Sequence, residues 1–207
     1  MAAVDEGAFH CADSSGDAMS VILVLGGARS GKSSFAETLA AGEKHYVATA
    51  QAVDDEMRER IAAHKSRRVG AWVTHETVLD LSEVLTLVMA DNRFVLVDCL
   101  TLWLSNVMLA NDGVGGGAEI AGNTAHWRDA LEQLLACLRT ASGTVVLVSN
   151  EVGMGLVPDT PLGRAFRDAQ GIVNQRVAEV ADSVVFVAAG LPLVLKGPLP
   201  TVPRLQS

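Results

Sequence analysis

The chain is expected to fold as an α/β domain with a mainly parallel sheet and helices on both faces. Three observations predict this. Short apolar runs of strand length alternate with longer stretches of helical period along residues 21–190. A glycine-rich turn, Gly26-Gly27-Ala28-Arg29-Ser30-Gly31-Lys32-Ser33, joins the first apolar run to the first helical stretch. An acid, Asp98, closes the run Phe94-Val95-Leu96-Val97, and the carboxyl ends of parallel strands are where such sheets bind ligands.

The elements follow in order. Met1 to Ser20 is small, polar and acidic, with neither a basic n-region nor an apolar h-region, so it is expected to be a loose tail and not a secretory signal. Met19, just before the first strand, is a candidate alternative start. Val21 to Leu25 is continuously apolar and reads as a strand buried on both sides. Ser33 to Ala41 holds good helix formers, and Tyr46 to Thr49 is a short second strand. Helical period marks 54–65 and 78–90, and Phe94 to Asp98 is the third strand. Asn111 to Gly122 is Gly-rich and is expected to be a flexible surface loop. A helix over 124–140, a strand over 144–149, a helix over 162–181 and a strand over 183–187 complete the alternation. Leu191 to Ser207 carries Pro192, Pro198, Pro200 and Pro203 and is expected to be an extended tail, leaving one domain over 21–190.

Composition narrows the class. The 207 residues are enough for one domain with a large core, and the 49% hydrophobic content never reaches the roughly 18 continuous apolar residues of a membrane span. A net charge of −8 argues against a nucleic-acid surface. Cys11, Cys99 and Cys137 are odd in number and lack metal-ligand spacing, which suits a reducing, cytoplasmic compartment.

The Gly26–Ser33 turn matches the phosphate-binding pattern G-x-x-x-x-G-K-[ST]. Its glycines let backbone N–H groups curl around phosphate oxygens without an intervening Cβ, and Lys32 is placed to reach the β- and γ-phosphates. The Ser33 hydroxyl and Asp98 are candidate Mg²⁺ ligands, directly or through water. Asp98 as a simple solubilising stop is the plainer alternative. Asn150-Glu151-Val152-Gly153-Met154-Gly155 follows a strand end and reads either as a loop over the site or as an ordinary strand-to-helix connection.

On a helix over 54–68, Met57, Ile61 and His64 share one face, with Arg60 and Arg68 one turn either side of His64. Neighbouring positive charge disfavours the imidazolium, so His64 would stay neutral and nucleophilic while the arginines hold a polyphosphate against it. The helix pattern alone favours the simpler reading, a half-buried histidine on a solvated basic helix.

Five segments together carry a resemblance: GGARSGKS at 26–33, DDEMRERIAAHKSRR at 54–68 with Trp72 and Glu76 after it, VDCLTLWLSN at 97–106, SNEVGMGLVP at 149–158 and FRDAQGIVNQRVA at 166–178. Over roughly residues 20–190 the chain resembles the bifunctional adenosylcobinamide kinase/adenosylcobinamide-phosphate guanylyltransferase family of cobalamin biosynthesis. The resemblance implies a RecA-like P-loop fold and a homotrimer. It also implies two reactions. In the first, ATP or GTP phosphorylates the aminopropanol hydroxyl of adenosylcobinamide. In the second, GMP passes from GTP through a covalent histidine to adenosylcobinamide phosphate, giving adenosylcobinamide-GDP.

By the same resemblance His64 matches the guanylylated histidine. Some relatives carry a second histidine at the position of Ala63, which leaves His64 the single candidate here. Nucleotide contacts are implied at Gly26, Gly27, Ala28, Arg29, Ser30, Gly31, Lys32 and Ser33, at Ala48, Thr49 and Ala50, at Lys65, Ser66, Arg67 and Arg68, and at Glu76 and Asp98. Ser149 stands where Thr is common and Ala50 where some relatives have Ser. A carboxylate such as Glu76 is chemically suited to accept from the N1–H and N2–H₂ donors of guanine.

Three other readings of the phosphate loop explain less. A plain small-molecule kinase leaves His64 and its basic neighbours without a role. A GTPase switch needs an N-K-x-D guanine loop, which the chain lacks. A RecA-type ATPase on nucleic acid needs a basic groove, and the chain is acidic.

Overall fold

A computed structural model describes residues 20–50, 70–110 and 126–200. Seven strands form one sheet: β1 (Ser20–Gly26), β2 (Glu43–Ala48), β3 (Val73–Glu76), β4 (Arg93–Asp98), β5 (Thr144–Asn150), β6 (Ser183–Ala188) and β7 (Leu191–Lys196). Their order is β3-β2-β4-β5-β1-β6-β7, parallel throughout except for β7. The helices are α1 (Lys32–Thr38), α2 (Leu81–Val88), α3 (Leu100–Leu109), α4 (His126–Arg139) and α5 (Pro161–Val180). The expected helix over 54–65, the loop over 111–122 and the segments 1–19 and 201–207 lie outside the described residues.

Strand periodicity divides the core in two. Val21, Leu23, Val95, Val97, Val145 and Leu147 point to one face, where they pack with Leu85 of α2, Trp103 and Leu104 of α3, Leu134 of α4 and Val173 and Val177 of α5. Ile22, Val24, Phe94, Leu96, Val146 and Val148 point the other way, against Ala36 of α1 and Leu39 just beyond it. The central strands are therefore buried on both faces. Their sequences read as continuous apolar runs because no position in them faces water.

Three elements depart from the sequence reading. β3 is a four-residue edge strand, Val73-Thr74-His75-Glu76, largely exposed, so it has no apolar run to reveal it. α3 is apolar nearly all round, Leu-Thr-Leu-Trp-Leu-Ser-Asn-Val-Met-Leu, and shows little amphipathic contrast because it sits deep in the fold. β7 corrects the expectation of a tail starting at Leu191. Ala189 and Gly190 both take positive φ, 52° and 78°, which makes the tight turn of a β-hairpin and folds residues 191–196 back on β6. Pro192 is tolerated because β7 is an edge strand.

Candidate functional site

The phosphate loop leaves β1 at Gly26 and enters α1 at Lys32. Arg29 and Gly31 take left-handed conformations, φ 56° and 96°, so the backbone curls in on itself as an anion nest requires. Gly26 admits no side chain: a Cβ there would lie 2.5 Å from both Ser30 Oγ and Val187 O. Lys32 is buried, and its Nζ donates to Gly27 O at 3.0 Å, which holds the ammonium across the loop. Ser30 Oγ is buried without a hydrogen-bond partner among the described residues. A buried hydroxyl without a partner is costly, and a phosphate oxygen would satisfy it.

The β6–β7 turn supports this loop. Gly190 N donates to Ser30 O at 2.8 Å, and a Cβ on Gly31 would meet Gly190 Cα at 3.1 Å. The turn that leads into the segment read from sequence as a tail thus buttresses the nucleotide loop. Its only sequence signal was the Ala189-Gly190 pair after an apolar run. Gly26→Ala is expected to lower stability by about 1–3 kcal/mol, the usual cost of overpacking, because Val187 O is backbone and cannot swing away. Urea denaturation of the variant against the wild type measures this, and an unchanged midpoint would contradict it.

Parallel register brings the other candidate residues to the same carboxyl edge as the loop, with Asp98 level with Val24, two residues before Gly26. Ala48 pairs with Glu76 on one side and Asp98 on the other, Asp98 pairs with Val148, and Gly26 pairs with Asn150. Glu76, Ala48, Asp98, Asn150 and Gly26 therefore run along one carboxyl edge, with neighbouring strands ~4.8 Å apart. Gly26, Ala48, Asp98 and Asn150 also continue the alternation of Val24, Tyr46, Leu96 and Val148, so they belong to the face that α1 covers. Asp98 Oδ2 accepts from Tyr46 Oη at 3.0 Å, and Tyr46 stands edge-on to Trp72 with ring centroids 6.2 Å apart.

Thr49 fixes the segment after β2. Its Oγ1 donates to Cys99 O at 2.8 Å and accepts from Cys99 N at 2.9 Å, while Thr49 O accepts from Asn106 Nδ2 at 2.8 Å. The expected contacts at 48–50 thus sit on a backbone tied to the end of β4 and to α3. Glu76 is exposed at the end of β3. His64, Lys65, Ser66, Arg67 and Arg68 lie outside the described residues.

Cys99 is a buried thiol next to this edge. Burial pushes it up to about 11, with the Asp98 carboxylate adding to the rise, while the Leu102 and Thr101 amides and Lys32 oppose it. Cys99 is thus an uncharged packing group at neutral pH and not a nucleophile. The unfolded thiol ionises near its ordinary value of 9.0, so between about 9 and 11 the unfolded state has lost a proton that the folded state keeps. Stability is expected to fall as pH rises through that window. Cys99→Ala should flatten this part of the pH–stability curve, and an equally steep decline in the variant would rule the thiol out as its source.

A second group of residues at the edge escaped the sequence reading. Ser149 Oγ donates to Asn174 Oδ1 at 2.7 Å, and Gln170 Nε2 donates to Ser149 Oγ at 3.0 Å and to Asn174 Oδ1 at 2.9 Å. All three residues are buried. Asn174 Nδ2 donates onward to Asn150 O at 3.1 Å, and Glu151 N donates to Gly26 O at 3.1 Å. This network on α5 fixes where β5 ends relative to the phosphate loop. Gln170 and Asn174 are four residues apart on a helix, a spacing indistinguishable from ordinary surface polarity until the strand is placed beside it.

The residues fit a magnesium nucleotide. Among the described residues no group of three or more His, Cys, Asp or Glu could hold a metal by itself. Mg²⁺ suits such a place, since it is commonly held by one or two protein oxygens with the rest of its shell from phosphate and water. Ser33 and Asp98 offer that oxygen chemistry at the start of α1 and the end of β4.

The fold and loop define a P-loop nucleotide-binding enzyme of RecA-like α/β architecture. The family model for cobinamide kinase / cobinamide phosphate guanyltransferase matches residues 22–195. The chain belongs to that family. It is 46% identical over 178 residues to the bifunctional adenosylcobalamin biosynthesis protein CobP of Pseudomonas aeruginosa, covering 84% of this chain and 96% of that one. It is 41% identical to CobU of Salmonella typhimurium and 38% identical to CobU of Escherichia coli, each over 180 residues, covering 85% of this chain and 99% of theirs. Among solved structures, a type III secretion ATPase of pathogenic bacteria aligns at TM-score 0.48 and 10% identity, over 84% of this chain and 56% of that one.

The match to residue 195 ends inside β7, so the family region takes in the hairpin that braces the phosphate loop. Among the described residues no helix is long and apolar enough to cross a membrane.

Proposed function

We propose that this enzyme phosphorylates adenosylcobinamide on its aminopropanol hydroxyl, with ATP or GTP as donor, and then transfers GMP from GTP to the product through His64. The observation that carries the reading is the family match over 22–195, which spans the phosphate loop, the carboxyl edge with Asp98 and the His64 segment.

In the first reaction the aminopropanol oxygen bonds to the γ-phosphorus as the bond from that phosphorus to the β,γ-bridging oxygen breaks. Catalysis there is positioning and charge stabilisation: the loop and Lys32 hold the phosphates, and Ser33 and Asp98 would hold Mg²⁺, which would offset the phosphate charge. In the second, a ring nitrogen of His64 bonds to the α-phosphorus of GTP and pyrophosphate leaves. A phosphate oxygen of adenosylcobinamide phosphate then displaces the imidazole and gives adenosylcobinamide-GDP. Two displacements replace one difficult encounter between anionic reactants. Lys65 and Arg68 stabilise charge on the phosphates, and Ser66, Arg67 and the 48–50 backbone complete the nucleotide contacts. Glu76 accepts from the guanine donors at the end of β3.

We further propose a cytoplasmic homotrimer with no nucleic-acid partner, in line with the family resemblance and the acidic charge of −8. Incubation with α-labelled GTP, followed by denaturation, tests the transferase. Chromatography of adenosylcobinamide incubated with ATP or GTP tests the kinase. Retained label and two successive corrinoid products are expected, whereas a protein that only hydrolyses nucleotide would end the proposal.

A further inference from the structure

We infer that Tyr46 is a positioning residue for the nucleotide-bound Mg²⁺, its phenol hydroxyl setting the plane of the Asp98 carboxylate. The inference rests on the reading above, in which Asp98 and Ser33 would hold Mg²⁺ beside a nucleotide on the Gly26–Ser33 loop.

Reach is the first support. Tyr46 lies on β2 and pairs with Leu96 of β4, two residues before Asp98. To meet that carboxylate a side chain at position 46 crosses one strand spacing of ~4.8 Å and climbs two residues, or ~6.6 Å, along the strand. Only a long side chain spans the offset. The phenol does so, with Oη donating to Asp98 Oδ2 at 3.0 Å.

Rigidity is the second support. Tyr46 is buried, and Trp72 stands edge-on to its ring, with centroids 6.2 Å apart and an interplanar angle of 88°. Trp72 in turn stands edge-on to Phe94, at 6.0 Å and 78°, and Phe94 is buried near the start of β4. The ring is thus braced from both strands. The backbone at Asp98 is fixed as well, because Thr49 N donates to Asp98 O at 3.4 Å and Cys99 N donates to Thr49 Oγ1 at 2.9 Å. These contacts leave the rotation of the Asp98 side chain to be set, and Tyr46 Oη bonds to the carboxylate itself.

Residue type is the third. Tyr46 is the single tyrosine of the chain, and Val24, Phe94, Leu96 and Val148, which share its face, are apolar. A core position there needs only the ring, which phenylalanine supplies without a hydroxyl to satisfy. The hydroxyl adds a bond to Asp98. Mg²⁺ makes that bond useful, since it demands near-octahedral geometry and binds poorly to an oxygen turned out of place. Groups that hydrogen-bond to a metal ligand are worth roughly 10- to 100-fold in metal affinity. Tyr46 acts through Asp98 and exchanges no proton or phosphoryl group.

The test uses the full-length chain and Tyr46→Phe, which keeps the ring, with Asp98→Asn as the reference. Calorimetric Kd values for GTP in excess Mg²⁺ and in EDTA give the factor by which the ion tightens nucleotide binding. Tyr46→Phe is expected to lower that factor roughly five- to tenfold and to raise the Mg²⁺ concentration for half-maximal adenosylcobinamide phosphorylation to match. The Kd in EDTA, the Tm and the kcat at saturating Mg²⁺ should stay close to wild type. On the Asp98→Asn background the phenylalanine should lower the factor no further. Trp72→Phe, which loosens the brace and keeps the hydroxyl, should shift the factor less, and it serves if Tyr46→Phe fails to fold. Equal weakening in Mg²⁺ and EDTA, an unchanged factor, or full additivity with Asp98→Asn overturns the role of Tyr46 alone. If Mg²⁺ tightens GTP binding to the wild type and to Asp98→Asn equally, or to neither, Asp98 is not the ion's ligand, and the underlying reading fails and takes this role with it.

Discussion

Lys32→Ala is expected to depress both the phosphorylation of adenosylcobinamide and the guanylylation of the enzyme by GTP. Both reactions are proposed to use one phosphate loop, and Lys32 is its buried cation, with Nζ 3.0 Å from Gly27 O. Loss of a charge-assisted donor at a preorganised phosphate site costs on the order of 2–4 kcal/mol in the transition state, or roughly 30- to 1000-fold in rate. The stem of Lys32 is packed, so part of any loss in the alanine variant reflects a cavity. Lys32→Met keeps the stem and removes the charge, and it should be as inactive as alanine while melting closer to the wild type. Turnover of both substrates at the wild-type rate in either variant would remove the loop from the mechanism.

His64→Ala is expected to divide the two reactions. Phosphoryl transfer to a hydroxyl needs no protein nucleophile, whereas guanylyl transfer through a covalent intermediate cannot proceed without one. The variant should acquire no label from α-labelled GTP and form no adenosylcobinamide-GDP, yet still make adenosylcobinamide phosphate. In the wild type the label should be acid-labile and base-stable, as a phosphoramidate is, and absent when the label is on the γ-phosphate. Stable α-label on the alanine variant would point to another nucleophile. Equal loss of both activities would give His64 a shared binding role instead.

The two predictions differ in what the structure contributes. Lys32 is seen in its loop, with the glycines, the left-handed turns and the buttressing hairpin that set its position. His64 lies outside the described residues, and its role rests on the run Ala62-Ala63-His64-Lys65-Ser66-Arg67-Arg68 and on family membership. That contrast follows from the kinds of signal involved. A phosphate loop is local: eight consecutive residues specify a backbone path, and it reads the same in any P-loop protein. A nucleophilic histidine depends on what surrounds it, and a helix pattern gives only the near side of those surroundings.

Much of the fold was legible for a similar reason. The five strands read as apolar runs are present because a strand buried on both faces has no polar positions to interrupt it. α3 escaped through the same effect. Its Leu100, Trp103, Leu104 and Val107 are buried without a contrasting solvent face, so the helical period lost its polar half. β3 and β7 escaped because edge strands are mostly exposed, and their pairing partners are set by tertiary contact and not by their own composition.

By itself the sequence determined the α/β class, the phosphate loop with Lys32 and Ser33, the acid at the tip of the third apolar run, and the family. Each of these is written in contiguous residues whose backbone geometry or burial dictates their type. Only the tertiary structure decided which strands lie side by side. That order sets β5 between the phosphate loop and Asp98, aligns Asn150 with Gly26, and pairs residues 191–196, read as the start of a tail, with β6 through a turn at 189–190 that braces Ser30. Strand order is a long-range choice, made by which apolar faces pack together and which crossovers close. Sequence spacing carries almost none of it.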